Sequence, residues 1–142
     1  MKLLTKDTDY AIRALIGLVI HKGEYISARI IAENHNLPYQ FLRTIVQKLI
    51  KHKLVASKEG ASGGLMIVKD PAKIRIIDVI RIFQGELELS DCMFRRKVCG
   101  NRGTCVLRKE IKRIESIVEK EFGKLTIKEL IKKMNLNKNG GR

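Results

Sequence analysis

Seven residues, Lys58-Glu59-Gly60-Ala61-Ser62-Gly63-Gly64, separate two short apolar runs, Leu54-Val55-Ala56-Ser57 and Leu65-Met66-Ile67-Val68. A glycine-rich tip between two strand-forming runs predicts a β-hairpin. What precedes it is helical. Residues 5–21 read as a helix capped by Thr5, with Asp7 and Asp9 in the first turn, where the helix dipole favours acids. Ala11, Leu15, Leu18 and Val19 recur at helical spacing, with Ile12 and Ile16 widening the face. Gly23 marks the stop. A short helix from Ser27 to about His35 follows, with Ile30, Ile31 and Ala32 apolar.

Asn36-Leu37-Pro38 then breaks the chain, and proline suits the first turn of the next helix. That helix runs to about Lys51. Leu42, Ile45, Val46, Leu49 and Ile50 face inward, and Gln40, Arg43, Thr44, Gln47 and Lys48 face out. Two short helices joined by a tight turn, the second exposing polar and basic residues, match a helix-turn-helix. With the hairpin added, the expectation is a mainly α chain with a small β-wing, a winged helix-turn-helix.

Arginine can bond guanine bidentately, and glutamine can do so with adenine. Arg43 is therefore expected at a base edge, with Gln40, Thr44 and Gln47 beside it. Lys48, Lys51 and Lys53 fit phosphates, which supply affinity without sequence. Lys58 and Ser62 are the wing's candidates for DNA contact. The charge agrees: 29 basic against 15 acidic residues give +14, and a small protein that basic usually meets a polyanion. Duplex DNA is the expected partner, and no membrane is. The longest apolar stretch, Ala14 to Ile20, is far short of the roughly 20 residues a spanning helix needs. The first residues, MKLLTKDTDYAIRAL, carry acids and lack the apolar core of a signal peptide. The cytoplasm is the expected compartment.

Beyond the hairpin, Asp70-Pro71 closes the wing. Residues 76–84 read as a helix, with Ile76, Val79, Ile80 and Phe83 apolar, ended by Gly85. From Thr104 or Cys105 a long helix begins. Its Leu107, Ile111, Ile114, Val118, Phe122 and Leu125 form the stripe expected of a helix packing on a partner helix. Thr126 caps a last short helix, Ile127 to Met134, and the tail from Asn135 is expected to fray. The reader thus takes residues 1–72. The connecting helix, a cysteine loop and the long dimerisation helix take 73–142.

All three cysteines, Cys92, Cys99 and Cys105, share that loop at C-x6-C-x5-C spacing. Arg95, Arg96, Lys97, Arg102, Arg108 and Lys109 accompany them, a field that favours thiolates, the form that binds metal. The spacing is neither the paired CxxC of a zinc ribbon nor the ferredoxin run. Long gaps suit a loop wrapping a larger object, such as an iron–sulfur cluster. Thiol chemistry, zinc and unliganded cysteines are the other readings. Nothing resembles a catalytic triad or a phosphate-binding glycine loop, so no enzyme is expected.

These residues carry a resemblance. Thr8-Asp9-Tyr10-Ala11-Ile12-Arg13-Ala14-Leu15, Ile31-Ala32, Leu37-Pro38, Gly63-Gly64, Asp78-Val79-Ile80 and the three cysteines resemble the IscR/NsrR/RirA-type winged-helix iron–sulfur regulators, over roughly residues 1–134. The resemblance implies a homodimeric transcription regulator that exchanges its long helices and binds a near-palindromic operator. It implies a 2Fe–2S or 4Fe–4S cluster on Cys92, Cys99 and Cys105, sensing iron or cluster status, redox state or nitric oxide. The fourth ligand varies in the family. The histidine of the IscR type is replaced by Arg108. The aspartate of the NsrR type, supplied by the other subunit, is matched by Asp9. The missing histidine favours 4Fe–4S over 2Fe–2S. One departure concerns the wing, where Glu59 stands at a position relatives often give to arginine.

Overall fold

A computed structural model describes residues 2–89 and 105–140. Helix α1 (Lys6–Ile20) starts where the sequence supplies an acceptor: Thr5 Oγ1 accepts from Thr8 N–H at 3.4 Å. Ala11, Ala14, Leu15 and Leu18 are buried along one side. So is one polar side chain, Thr8. Its hydroxyl donates to Gln84 Oε1 at 2.7 Å, and the same oxygen accepts the Thr5 N–H at 2.9 Å. Gln84 Nε2 donates to the Leu3 carbonyl at 3.1 Å. A side chain far along the sequence thus fastens the first turn of α1.

Helix α2 (Ala28–Asn34) ends in a Schellman turn. Asn36 takes φ +52, the Leu37 N–H donates to Ala32 O at 2.8 Å, and the Asn36 N–H donates to Glu33 O at 3.5 Å. Asparagine tolerates this left-handed conformation better than most residues. Leu37 is then driven into the core, and Pro38 becomes the N-cap of α3 (Tyr39–Lys51), one position before the first turn. Helix α3 stops in the same way with a lysine in the left-handed seat. Lys53 has φ +62, and Leu54 N–H reaches Leu49 O at 3.0 Å. Ile30, expected to face inward, is 47% exposed; Ile31 and Ala32 alone bury the face of α2.

Strands β1 (Val55–Lys58) and β2 (Gly64–Ile67) pair antiparallel, Val55 opposite Ile67 and Lys58 opposite Gly64. Both sit one residue nearer the tip than expected. At the open end, Leu54 O accepts from both Val68 and Lys69 N–H, which breaks the regular ladder there. The sheet also gains an unexpected edge. Ile26 bridges Leu65 through bonds of 2.8 and 2.7 Å, which ties the wing to the start of α2.

After a 3-10 turn at Pro71–Lys73, capped by Asp70, α4 (Ile76–Gln84) ends at Gly85 with φ +79. Helices α5 (Val106–Lys124) and α6 (Ile127–Gly140) complete the chain. Thr126 Oγ1 accepts from Glu129 N–H at 3.1 Å, the expected cap. The tail does not fray at Asn135. Helix α6 continues through Gly140, because a nucleated helix gains one hydrogen bond per added residue and no proline interrupts it. The turn into α6 is tied to the start of α4, with Ile76 N–H donating to Leu125 O at 2.8 Å and Ile127 N–H to Ile74 O at 3.0 Å, and α6 packs on α1 and the 3-10 turn of the reader. One core results, with Leu15, Leu42, Leu49, Ile74, Val79 and Ile127 inside it. The expected architecture holds, with six helices and a two-stranded wing among the described residues.

Candidate nucleic-acid interface and cysteine site

On α3, burial of Leu42, Ile45, Val46 and Leu49 fixes what points outward. Gln40, Arg43, Thr44 and Gln47 are all exposed, and together they line one shallow depression of about 370 Å³. Two amides, a guanidinium and a hydroxyl in one concavity offer the donors and acceptors that base edges require. Lys51 is exposed in the last turn. Lys48 is exposed as well. Its ammonium lies 5.4 Å from the centre of the Phe83 ring on α4, a partner too distant in sequence to be foreseen.

In the wing, Ser62 and Glu59 are exposed at the tip. Lys58 places its ammonium 5.6 Å from the centre of the Tyr25 ring. The paired glycines have steric causes. A Cβ on Gly63 would strike the Lys58 carbonyl. Gly64 has φ +142, and a Cβ there would come within 2.5 Å of the Ile26 carbonyl carbon and 2.9 Å of Ser27 N. The bridge between wing and α2 forms only because this position lacks a side chain. A second close approach lies in the helix-turn-helix: His35 packs so tightly on Gly17 of α1 that a Cβ there would lie 2.6 Å from Nε2. Burial, then the charges of His21 and Arg13, hold the His35 imidazole below its ordinary value of 6.5.

Of the expected cluster ligands, Cys92 and Cys99 lie outside the described residues. Cys105 is partly exposed and occupies the N-cap of α5. The Cys105 side chain makes no capping hydrogen bond there, and the first turn of α5 has no acid. Such a helix terminus suits an anionic group. Asp9 does not cap α1, since Thr5 does; it pairs with Arg13 at 3.0 Å, about half-exposed. The pairing uses Oδ2 and leaves Oδ1 for a further partner. Among the described residues no three metal-ligating side chains converge.

The chain leading into the cysteine segment is anchored to α5. Glu115 is buried, pairs with Lys112 at 2.7 Å and accepts the Leu89 N–H at 2.9 Å. Arg81 of α4 pairs with Glu119 of α5. Burial pulls the Glu115 carboxyl upward, but the hydrogen bonds from Lys112 and Leu89 and the Lys112 charge outweigh it. The carboxyl is held below its ordinary value of 4.5. A depressed carboxyl stabilises the fold above that value and loses its contribution as pH falls through the lower, folded value. The stability gap between the wild type and Glu115→Gln should therefore be full at neutral pH and shrink in acid below about pH 4.5. Thermal unfolding across that range checks it.

Helix α5 leaves Val106, Leu107, Ile114 and Ile117 exposed, at 73%, 68%, 42% and 48%. The expected stripe is thus divided. Phe122 and Leu125 pack on the core, whereas Leu107 and Ile114 face outward with Ile117, which the stripe omits.

A helix-turn-helix with a polar, basic second helix and an attached two-stranded wing defines a winged-helix DNA-binding protein. The chain belongs to the Rrf2 family, described as "Iron-dependent Transcriptional regulator", which matches residues 4–133. It is 29% identical over 130 residues to the HTH-type transcriptional repressor NsrR of Streptomyces coelicolor, covering 90% of this chain and 87% of the relative. Its fold is similar to that of T. potens IscR, with TM-score 0.75, 24% identity, and 94% of this chain and 88% of that one covered. It is likewise similar to CymR, the global cysteine regulator of B. subtilis, with TM-score 0.77, 24% identity, and 92% and 96% covered. The protein is thus a DNA-binding transcriptional regulator and not an enzyme. No described helix is long and apolar enough to cross a membrane.

Proposed function

We propose that the chain is a homodimeric, cytoplasmic repressor whose grip on DNA depends on an iron–sulfur cluster. Cys92, Cys99 and Cys105 would hold it, with the partner subunit's Asp9 as fourth ligand and 4Fe–4S preferred. When bound, the cluster supplies sensitivity to iron, redox state or nitric oxide. The observation that carries this reading is the seat of Cys105. It stands at the N-cap of α5, beside the exposed apolar residues Val106, Leu107, Ile114 and Ile117. The same helix therefore offers a sulfur ligand at its start and a face suited to a second copy along its length.

The chain's own interactions give a change at the loop somewhere to go. Glu115 holds Leu89, and Arg81 holds Glu119, so the chain leading into the loop and α4 move with α5. Gln84, at the end of α4, grips Thr5 and Thr8 of α1. Helix α1 packs on α3. In this reading, residues 1–72 bind a near-palindromic operator through Gln40, Arg43, Thr44, Gln47, Lys48, Lys51, Lys58 and Ser62. Residues 73–142 sense and dimerise. A two-fold dimer places half-sites about one helical turn apart.

The test is anaerobic iron and sulfide analysis with a visible spectrum, on wild type and on the variant with alanine at all three cysteines. The account expects iron and acid-labile sulfide in the first and none in the second. A second reading draws on the partly exposed Cys105 thiol, which also suits thiol chemistry or zinc. A colourless anaerobic wild type that resists reconstitution would favour it.

A further inference from the structure

We infer that residues 25–29 form a bridge between recognition helix and wing that holds the phosphate backbone of duplex DNA at two points. Arg29 on the Tyr39 ring makes one, and Lys58 on the Tyr25 ring makes the other. The inference rests on the reading that α3 and the wing face DNA. Three interactions within this short segment support it. Tyr25 lies under the Lys58 ammonium at 5.6 Å. Ile26 pairs with Leu65 of β2. Arg29 lays its guanidinium 5.2 Å from the centre of the Tyr39 ring.

Tyr39 is the first residue of α3 and stands next to Gln40 of the recognition face; it is 41% exposed. Arg29 is exposed and has no carboxylate partner among the described residues. An exposed guanidinium with no ion-pair partner among the described residues, held over an aromatic face, keeps its donors for a ligand. It also gives up less side-chain freedom on binding. The Tyr39 hydroxyl, on the same ring, can donate to the same phosphate. The Ile26 pairing fixes the wing against α2, so the two cations are presented on one rigid edge rather than on independent loops.

A phosphate contact is blind to sequence, so the probe is a random-sequence duplex three helical turns long, titrated with salt. Arg29→Gln should flatten the plot of log affinity against log salt by about 0.9 for each phosphate it no longer neutralises. Tyr39→Leu should weaken binding at low salt, whereas Tyr39→Phe, which keeps the ring, should retain most of it. Lys128→Gln, an equal charge change on exposed α6, controls for net charge and should leave the slope near the wild-type value. All variants should melt with the wild type, since Arg29 and Tyr39 lie at the surface. A slope for Arg29→Gln equal to that of Lys128→Gln would overturn the inference, and so would wild-type binding by Tyr39→Leu. Failure of the wild type to bind the duplex would instead remove the DNA-facing reading beneath it.

Discussion

Gly64→Ala should lower the unfolding free energy by about 3 to 5 kcal/mol and the melting temperature by roughly 10 to 20 °C. Two costs combine. The residue sits at φ +142, where an L side chain is strained. The new methyl also meets backbone that cannot swing aside, the Ile26 carbonyl and the Ser27 nitrogen at the bridge to α2. Gly60→Ala separates the two. Gly60 has φ +105, but nothing lies within 4 Å of a Cβ there. That variant should show only the conformational part, about 1 to 2 kcal/mol. Equal melting temperatures for the two variants would show that the close approach to Ile26 contributes nothing. DNA binding should fall with Gly64→Ala even where the protein stays folded, because the wing would come loose from α2.

Arg43→Ala should cut operator affinity about 5- to 150-fold per half-site, the equivalent of about 1 to 3 kcal/mol of base discrimination. Affinity for random duplex should fall only by the removal of one charge. Arg43 lines the same depression as Gln40, Thr44 and Gln47, so its guanidinium is the strongest hydrogen-bonding group on the recognition face. Competition between a selected operator and random duplex reads the ratio directly. A parallel fall in both affinities would make Arg43 a phosphate contact, and the recognition face would need reassignment.

Much of this fold is legible in the sequence because its signals are local. Thr5, Ser27 and Thr126 each accept the first-turn hydrogen bond their position predicts. Apolar spacing sets the faces of α1, α3 and α4, and the glycines set the wing. What escapes depends on partners far along the chain. The Ile26–Leu65 bridge is a single residue pair, too short to leave a periodic pattern. Gln84 reads as an ordinary polar end to α4, yet it satisfies buried Thr8. Lys48 reads as a phosphate contact, and nothing near it in sequence announces the Phe83 ring that α4 brings beneath it. The stop of α3 uses Lys53 in a conformation usually given to glycine, so no residue type announces it.

The candidate site divides along the same line. The outward face of α3 follows from helical period alone, and four of the five side chains named there share one depression. Arg29, Tyr39 and Tyr25 leave no such signal, because stacking a cation on a ring needs two elements in place. Asp9 stands out as an acid in the first turn, and its Arg13 partner one turn on gives it a structural occupation as well.

The central claim is that cluster state sets the grip on DNA. Its most direct measurement is equilibrium binding, under strict exclusion of oxygen, of cluster-loaded and cluster-free protein to one operator selected from a random pool, with iron counted in each sample. A regulator must bind DNA with different affinity in its two states. The account predicts affinities that differ by about tenfold or more. Equal affinities, with iron present in one sample and absent from the other, would contradict it.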